Sequence, residues 1–136
     1  MAPPDPSPPD DPIAGLLERY AYAVATRDAD LWGSTWCAEA LWERIEGEEI
    51  VGRDAIVASW IEAMAQYDRV DHRNEGNISE LDPEAGTGTG RATVVERVRP
   101  VDGSAERTLR GHYDDEYRLT DSGWCFVSRR LVRYPS

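Results

Sequence analysis

The sequence predicts an α+β fold in which three N-terminal helices pack on a curved, mainly antiparallel sheet, and two observations carry that prediction. Apart from one short hairpin, apolar residues recur with helical spacing up to about residue 67 and with alternating spacing beyond it. The alternating segments are separated by "DPEAGTGTG", "DGS" and "TDSG", which supply the Gly and Asp that tight turns require. Helices followed by a run of strands imply a sheet covered on one face.

Residues 1–12, "MAPPDPSPPDDP", hold six prolines and no apolar run. They read as an extended, mobile tail, and as neither a signal peptide nor a membrane span. A single domain over residues 13–136 follows. Its first helix, about residues 12 to 26, keeps Ile13, Leu16, Leu17, Tyr20, Ala21 and Val24 on one face. Asp28 or Asp30 caps a second, "ADLWGSTWC", which sets Trp32 and Trp36 four residues apart. "ALWERIEGEEIVGRDAI" reads as two short strands around a Glu-Gly turn, closed by Gly52. A third helix then carries Ile56, Trp60, Ala63, Met64 and Tyr67 on its apolar face. Four strands complete the chain: "HRNEGNISEL", "RATVVERVRPV", "RTLRGHYDDEYRL" and "GWCFVSRRLVRY". "GTGTG" lies in the loop between two of them.

The chain carries 26 acidic residues against 15 arginines, for a net charge of -11, and it contains no lysine. The cations are scattered among acids, which disfavours nucleic acid and anionic membrane surfaces as partners. Cys37 and Cys125 lie far from any zinc or redox spacing, so two reduced, buried thiols in a cytoplasmic protein are expected; a disulfide between them stays open. Nucleotide, metal and serine-hydrolase motifs do not occur in the sequence, and no cofactor is expected.

Alternation along "HYDDEYRL" places Tyr113, Asp115, Tyr117 and Leu119 on one face, mostly apolar and therefore inner. His112 falls on the other. A carboxyl desolvated among aromatics has a raised pKa and suits proton transfer near neutral pH. The alternative for Asp115 is a bond to a neighbouring Tyr or Arg.

Across residues 13–134, in "LLERYAYAVATRDADLW", "EIVGRDAIVASW" and "GHYDDEYRLTDSGWCFVSRR", the sequence resembles the SnoaL-like polyketide cyclases and their nuclear-transport-factor-2-like relatives. Ketosteroid isomerase, scytalone dehydratase and the lindane dehydrochlorinase are among them. The resemblance implies a cone-shaped α+β barrel, usually a homodimer through the outer face of the sheet. By the same resemblance Tyr20 matches an oxyanion-binding Tyr of the isomerase. Asp115 matches its second oxyanion donor and the acid of the cyclases, while the isomerase's base falls near Arg44. His72, shortly before Asn77, resembles the His of the dehydrochlorinase and dehydratase branch, whose orienting Asp falls on Ala25. Arg129 matches a pocket Arg of the dehydrochlorinase, or else pairs with Asp115 or Glu116.

The expected function is cofactor-independent acid-base chemistry on a small, largely apolar carbonyl or phenolic, polyketide-like compound. Asp115 or His72 would move the proton and Tyr20 and Arg129 would stabilise the oxyanion, with Tyr113, Trp42, Trp36 and Asn77 lining the site. The competing expectation is a module of the same fold that binds a ligand or assembles without catalysing anything.

Overall fold

Helix α1 (Pro12–Thr26) starts where Asp11 accepts a hydrogen bond from the Ala14 amide at 3.1 Å and Pro12 opens the first turn. The computed structural model describes residues 11–135. The tail expectation therefore falls mostly outside the described residues, and of its last two positions Asp11 caps the helix and Pro12 is its first residue. Arg27 ends α1 in the left-handed conformation, φ 55°. Its guanidinium donates to the Met64 carbonyl at 3.0 Å and the Tyr67 carbonyl at 2.6 Å, which ties the end of α1 to the end of the third helix.

Asp28 caps the short α2 (Ala29–Ser34) through the Leu31 amide. Trp36 is not on this helix, as the spacing suggested, but opens strand β1 (Trp36–Ile45). The two indoles still meet, 5.5 Å apart. Strand β2 (Glu48–Val51) turns back along β1, and α3 (Arg53–Met64) buries Ile56, Trp60 and Met64. Tyr67 belongs to the next strand instead of to α3. Strands β3 (Tyr67–Asp82), β4 (Thr87–Pro100), β5 (Arg107–Thr120) and β6 (Gly123–Arg133) form the antiparallel meander, and β1 joins β6 in parallel. The sheet runs β2-β1-β6-β5-β4-β3. It is a curved cone left open between β2 and β3, not a closed barrel.

"GTGTG" is a correction to the loop reading, because Thr87 to Gly90 are the first residues of β4. A Cβ at Gly90 would stand 2.5 Å from the Tyr117 hydroxyl and 2.7 Å from the Ile78 carbonyl oxygen. Glycine is present here so that the Tyr117 ring can lie on the strand, not to make a turn.

The core is a floor of indoles. Trp32 stacks on Trp60 at 4.6 Å and touches Trp36 and Trp42 at 5.5 and 5.3 Å, with Tyr20 and Phe126 beside them. Cys37 and Cys125 are joined in a disulfide, Cα atoms 5.3 Å apart, so the expectation of two free thiols is corrected. The cause is register: Trp36 pairs with Phe126 across β1 and β6, which sets the two cysteines side by side. Among the described residues no helix is long and apolar enough to cross a membrane.

Candidate active site

The inner face of the meander is read by alternation. On β5 it carries Arg107, Leu109, Gly111, Tyr113, Asp115 and Tyr117 from mouth to tip. Register adds Arg133, Leu131 and Arg129 from β6, and Val98, Glu96, Val94 and Ala92 from β4. His72 lies opposite Glu96 on β3. The cone therefore has a deep end around Asp115 and a mouth around Glu96.

At the deep end Arg129 donates from Nε to Asp115 Oδ1 at 2.8 Å and from Nη2 to Oδ2 at 3.2 Å. Neither side chain is exposed at all. The guanidinium is also sandwiched over Tyr113 at 4.0 Å, Phe126 at 4.3 Å and Tyr20 at 4.7 Å. Burial pushes the Asp115 carboxyl above its ordinary range, against the pull of Arg129 and the Tyr117 hydroxyl. Burial works against the Arg129 charge as well, yet the Asp115 carboxylate beside it keeps its pKa above the usual value. Of the two readings open for Asp115 and Arg129, the geometry supports the ion pair.

Toward the mouth lies a cavity of about 230 Å³ walled by Val24, Trp42, Trp60, Met64, Val70 and Leu109. Tyr20 and Tyr113 reach it from the floor, and Glu96, Arg44, Arg107 and Arg133 line it nearer the opening. Trp42 Nε1 donates to the Tyr113 hydroxyl at 3.2 Å. Burial raises the pKa of Tyr20 well above that of a free phenol and also raises that of Tyr113, so both remain proton-bearing donors. Larger hollows exist on the surface, such as one of about 640 Å³ on the outer face of the sheet, but the mouth cavity is where polar groups converge on an apolar space.

His72 is buried behind this wall, its ring 5.2 Å from that of Tyr20. Its Nδ1 lies 2.9 Å from Glu96 Oε2, and the Glu96 side chain keeps 33% of its surface exposed. The two residues share a recess of only about 30 Å³, and of the two only Glu96 also lines the main cavity. His72 thus has a carboxylate partner, but on the neighbouring strand and not on α1. Ala25, where the resemblance places that partner, is exposed.

Of the residues expected from the sequence, the structure gathers Tyr20, Tyr113 and Trp42 at the cavity with His72 behind them. Asp115 and Arg129 stand together deeper in the cone. Trp36 is fully buried in the indole floor, and Asn77 lies beyond an irregularity between Asn74 and Gly76. Asn74, not Asn77, faces the helices, donating to the Leu17 carbonyl at 3.2 Å. Glu96 went unnoticed in the sequence. Its signal was there: in "RATVVERVRP" a lone carboxylate shares parity with Ala92, Val94 and Val98, an otherwise apolar inner face.

The SnoaL-like domain family matches residues 10–130 of the chain. No functionally curated protein has a matching sequence. Solved structures with the same fold include a candidate scytalone dehydratase from Novosphingobium aromaticivorans, 18% identical, TM-score 0.83, over 90% of this chain and 82% of that one. A hexachlorocyclohexane dehydrochlorinase from Novosphingobium barchaimii is 18% identical, TM-score 0.77, over 90% and 84%. A protein of unknown function from Mycobacterium tuberculosis is 25% identical, TM-score 0.77, over 92% and 71%.

Proposed function

Since the chain belongs to the SnoaL-like domain family, we propose that it is a cofactor-independent acid-base enzyme acting on a small, largely apolar carbonyl or phenolic, polyketide-like compound. One observation carries this reading. An accessible carboxylate, Glu96, is held at 2.9 Å by a buried imidazole on the wall of a cavity floored by two phenol O–H groups. Glu96 takes the proton from a carbon next to the carbonyl. Charge developing on the carbonyl oxygen is met by the O–H groups of Tyr20 and Tyr113, which need no reorganisation to receive it. Returning the proton to a different carbon is an isomerisation. Attack of the carbanion on a second carbonyl is a cyclisation, and loss of a β-hydroxyl with that proton is a dehydration. His72 is a positioning residue in this reading, fixing the carboxylate as the second member of a dyad does. The neighbours named as dehydratase and dehydrochlorinase support the reaction class.

Deuterium exchange at the α-carbon of aryl ketones and β-diketones in heavy water, followed by proton NMR, tests the reading. The wild-type chain should exceed buffer, Glu96→Gln should lose about 10²- to 10⁴-fold, and His72→Ala should fall between them. Exchange no faster than buffer, or unchanged in both variants, refutes it. A second reading, ligand binding without chemistry, is favoured by the exposed Ala25 and by Arg44 standing where related enzymes keep acids.

A further inference from the structure

The chain as a whole has 26 acids for 15 arginines, but the lining of the mouth cavity reverses that ratio: Arg44, Arg107 and Arg133 face it with Glu96 as the one acid. Among the described residues none of the three arginines has a carboxylate within 4.0 Å; Glu96 is instead engaged by His72. Two of the guanidiniums are held by aromatic rings. Arg44 lies 5.6 Å over Trp42, and Arg107 lies 6.0 Å over Tyr67 while donating to its hydroxyl at 3.2 Å. A ring contact of this kind holds the plane of a guanidinium while its N–H groups remain donors for an anion, although Arg107 spends one of them on Tyr67.

The depth of the arginines along the sheet is set by register. Arg133 stands two residues, about 7 Å of strand, mouthward of Leu131, which pairs with Tyr113. Arg107 and Arg133 therefore lie mouthward of Tyr113 along β5 and β6, and Arg44 lines the same cavity from β1, with apolar residues among them.

We infer that the ligand of this cavity is a small aromatic or polyketide-like carboxylic acid, its carboxylate held at the mouth by Arg44, Arg107 and Arg133 and its carbonyl end directed to Tyr20 and Tyr113. The inference rests on the cavity being the reaction site of the preceding reading, and it names the substrate class. Guanidinium forks match a carboxylate with two parallel N–H···O bonds, and an exposed set of them acts with a strong dependence on salt.

The test is a titration of the intact chain with naphthoate and with naphthamide, its neutral counterpart of the same shape, followed by tryptophan fluorescence because Trp42 and Trp60 line the cavity. Naphthoate should bind at least about tenfold more tightly. That preference should shrink in high salt and in Arg44→Gln with Arg133→Gln, where naphthoate should lose more affinity than naphthamide. Melting curves confirm that the double variant is folded; if it is not, the salt titration of the wild-type chain decides. Equal binding of acid and amide, or a preference indifferent to salt and to the two substitutions, overturns the inference. A carboxylate preference without proton exchange removes the enzymatic reading alone. Exchange on neutral ketones without a carboxylate preference removes this inference alone.

Discussion

The deep end and the mouth of one cone treat charge in opposite ways. At Asp115 and Arg129 both charges are fully buried, doubly hydrogen-bonded and enclosed by three rings. At the mouth, Glu96 is held by His72 and keeps a third of its side chain exposed, Arg44 and Arg107 lie against aromatic rings, and among the described residues Arg44, Arg107 and Arg133 have no carboxylate partner. Opening a buried pair joined by two hydrogen bonds is costly, whereas Glu96 keeps one partner and an exposed side. The contrast fits an architectural role for the first set and, in the function proposed above, a chemical role for the second.

That contrast is broken most forcefully at the strut. Asp115→Ala or Arg129→Ala should cost about 3–5 kcal/mol, because each leaves an unpaired buried charge, whereas replacing both by apolar residues of similar volume should cost much less. Urea unfolding reads both. Equal losses for the single and double variants would show that the pair is not a unit.

Alkali probes the same depth without mutation. Tyr20, Tyr113 and Tyr117 have raised pKa values in the folded chain, burial being the largest cause for each. The unfolded phenols ionise first, so this contribution to stability is complete below about pH 10 and is lost as pH rises through the folded values. Each phenol removes up to about 1.4 kcal/mol by about pH 11. Absorbance of tyrosinate should rise in step with unfolding; ionisation of all six tyrosines in the folded state would contradict the burial argument.

Removing the disulfide with Cys37→Ser and Cys125→Ser should cost roughly 2–4 kcal/mol, seen as a lower melting temperature. Gly90→Ala should cost about 1–3 kcal/mol, since the added methyl displaces Tyr117. At the other extreme, Arg44→Gln at the mouth should stay within about 0.5 kcal/mol of wild type. A large loss there would dissolve the distinction between the two regions.

Much of the fold was legible because its signals are local: the period of α1, the Asp28 cap, the strand alternation and the inward set Tyr113, Asp115 and Tyr117. Less was legible where tertiary packing overrode local chemistry. Trp36 continues a helical spacing but pairs as a strand, and Gly88 and Gly90 look like turn residues but make room for a ring. The site was half visible. Tyr20 was marked by helix face and by family resemblance and Tyr113 by strand alternation, whereas the partner of His72 depended on which residue of β4 lies opposite it. That register is fixed by pairing across the whole β3–β4 hairpin, not by either strand alone.

The parallel pairing of β1 with β6 also orders events in time. Trp36 and Trp42 find their register partners at Phe126 and Arg129, at the far end of the domain. A chain emerging from the ribosome displays its helices and indoles long before the strand that covers them has been made. Such distant pairing is slow and leaves apolar surface uncovered meanwhile. The apolar face of the nascent chain therefore stays uncovered until nearly the whole domain is out. Premature stops that remove only the final strand should leave aggregates, not a shortened folded domain.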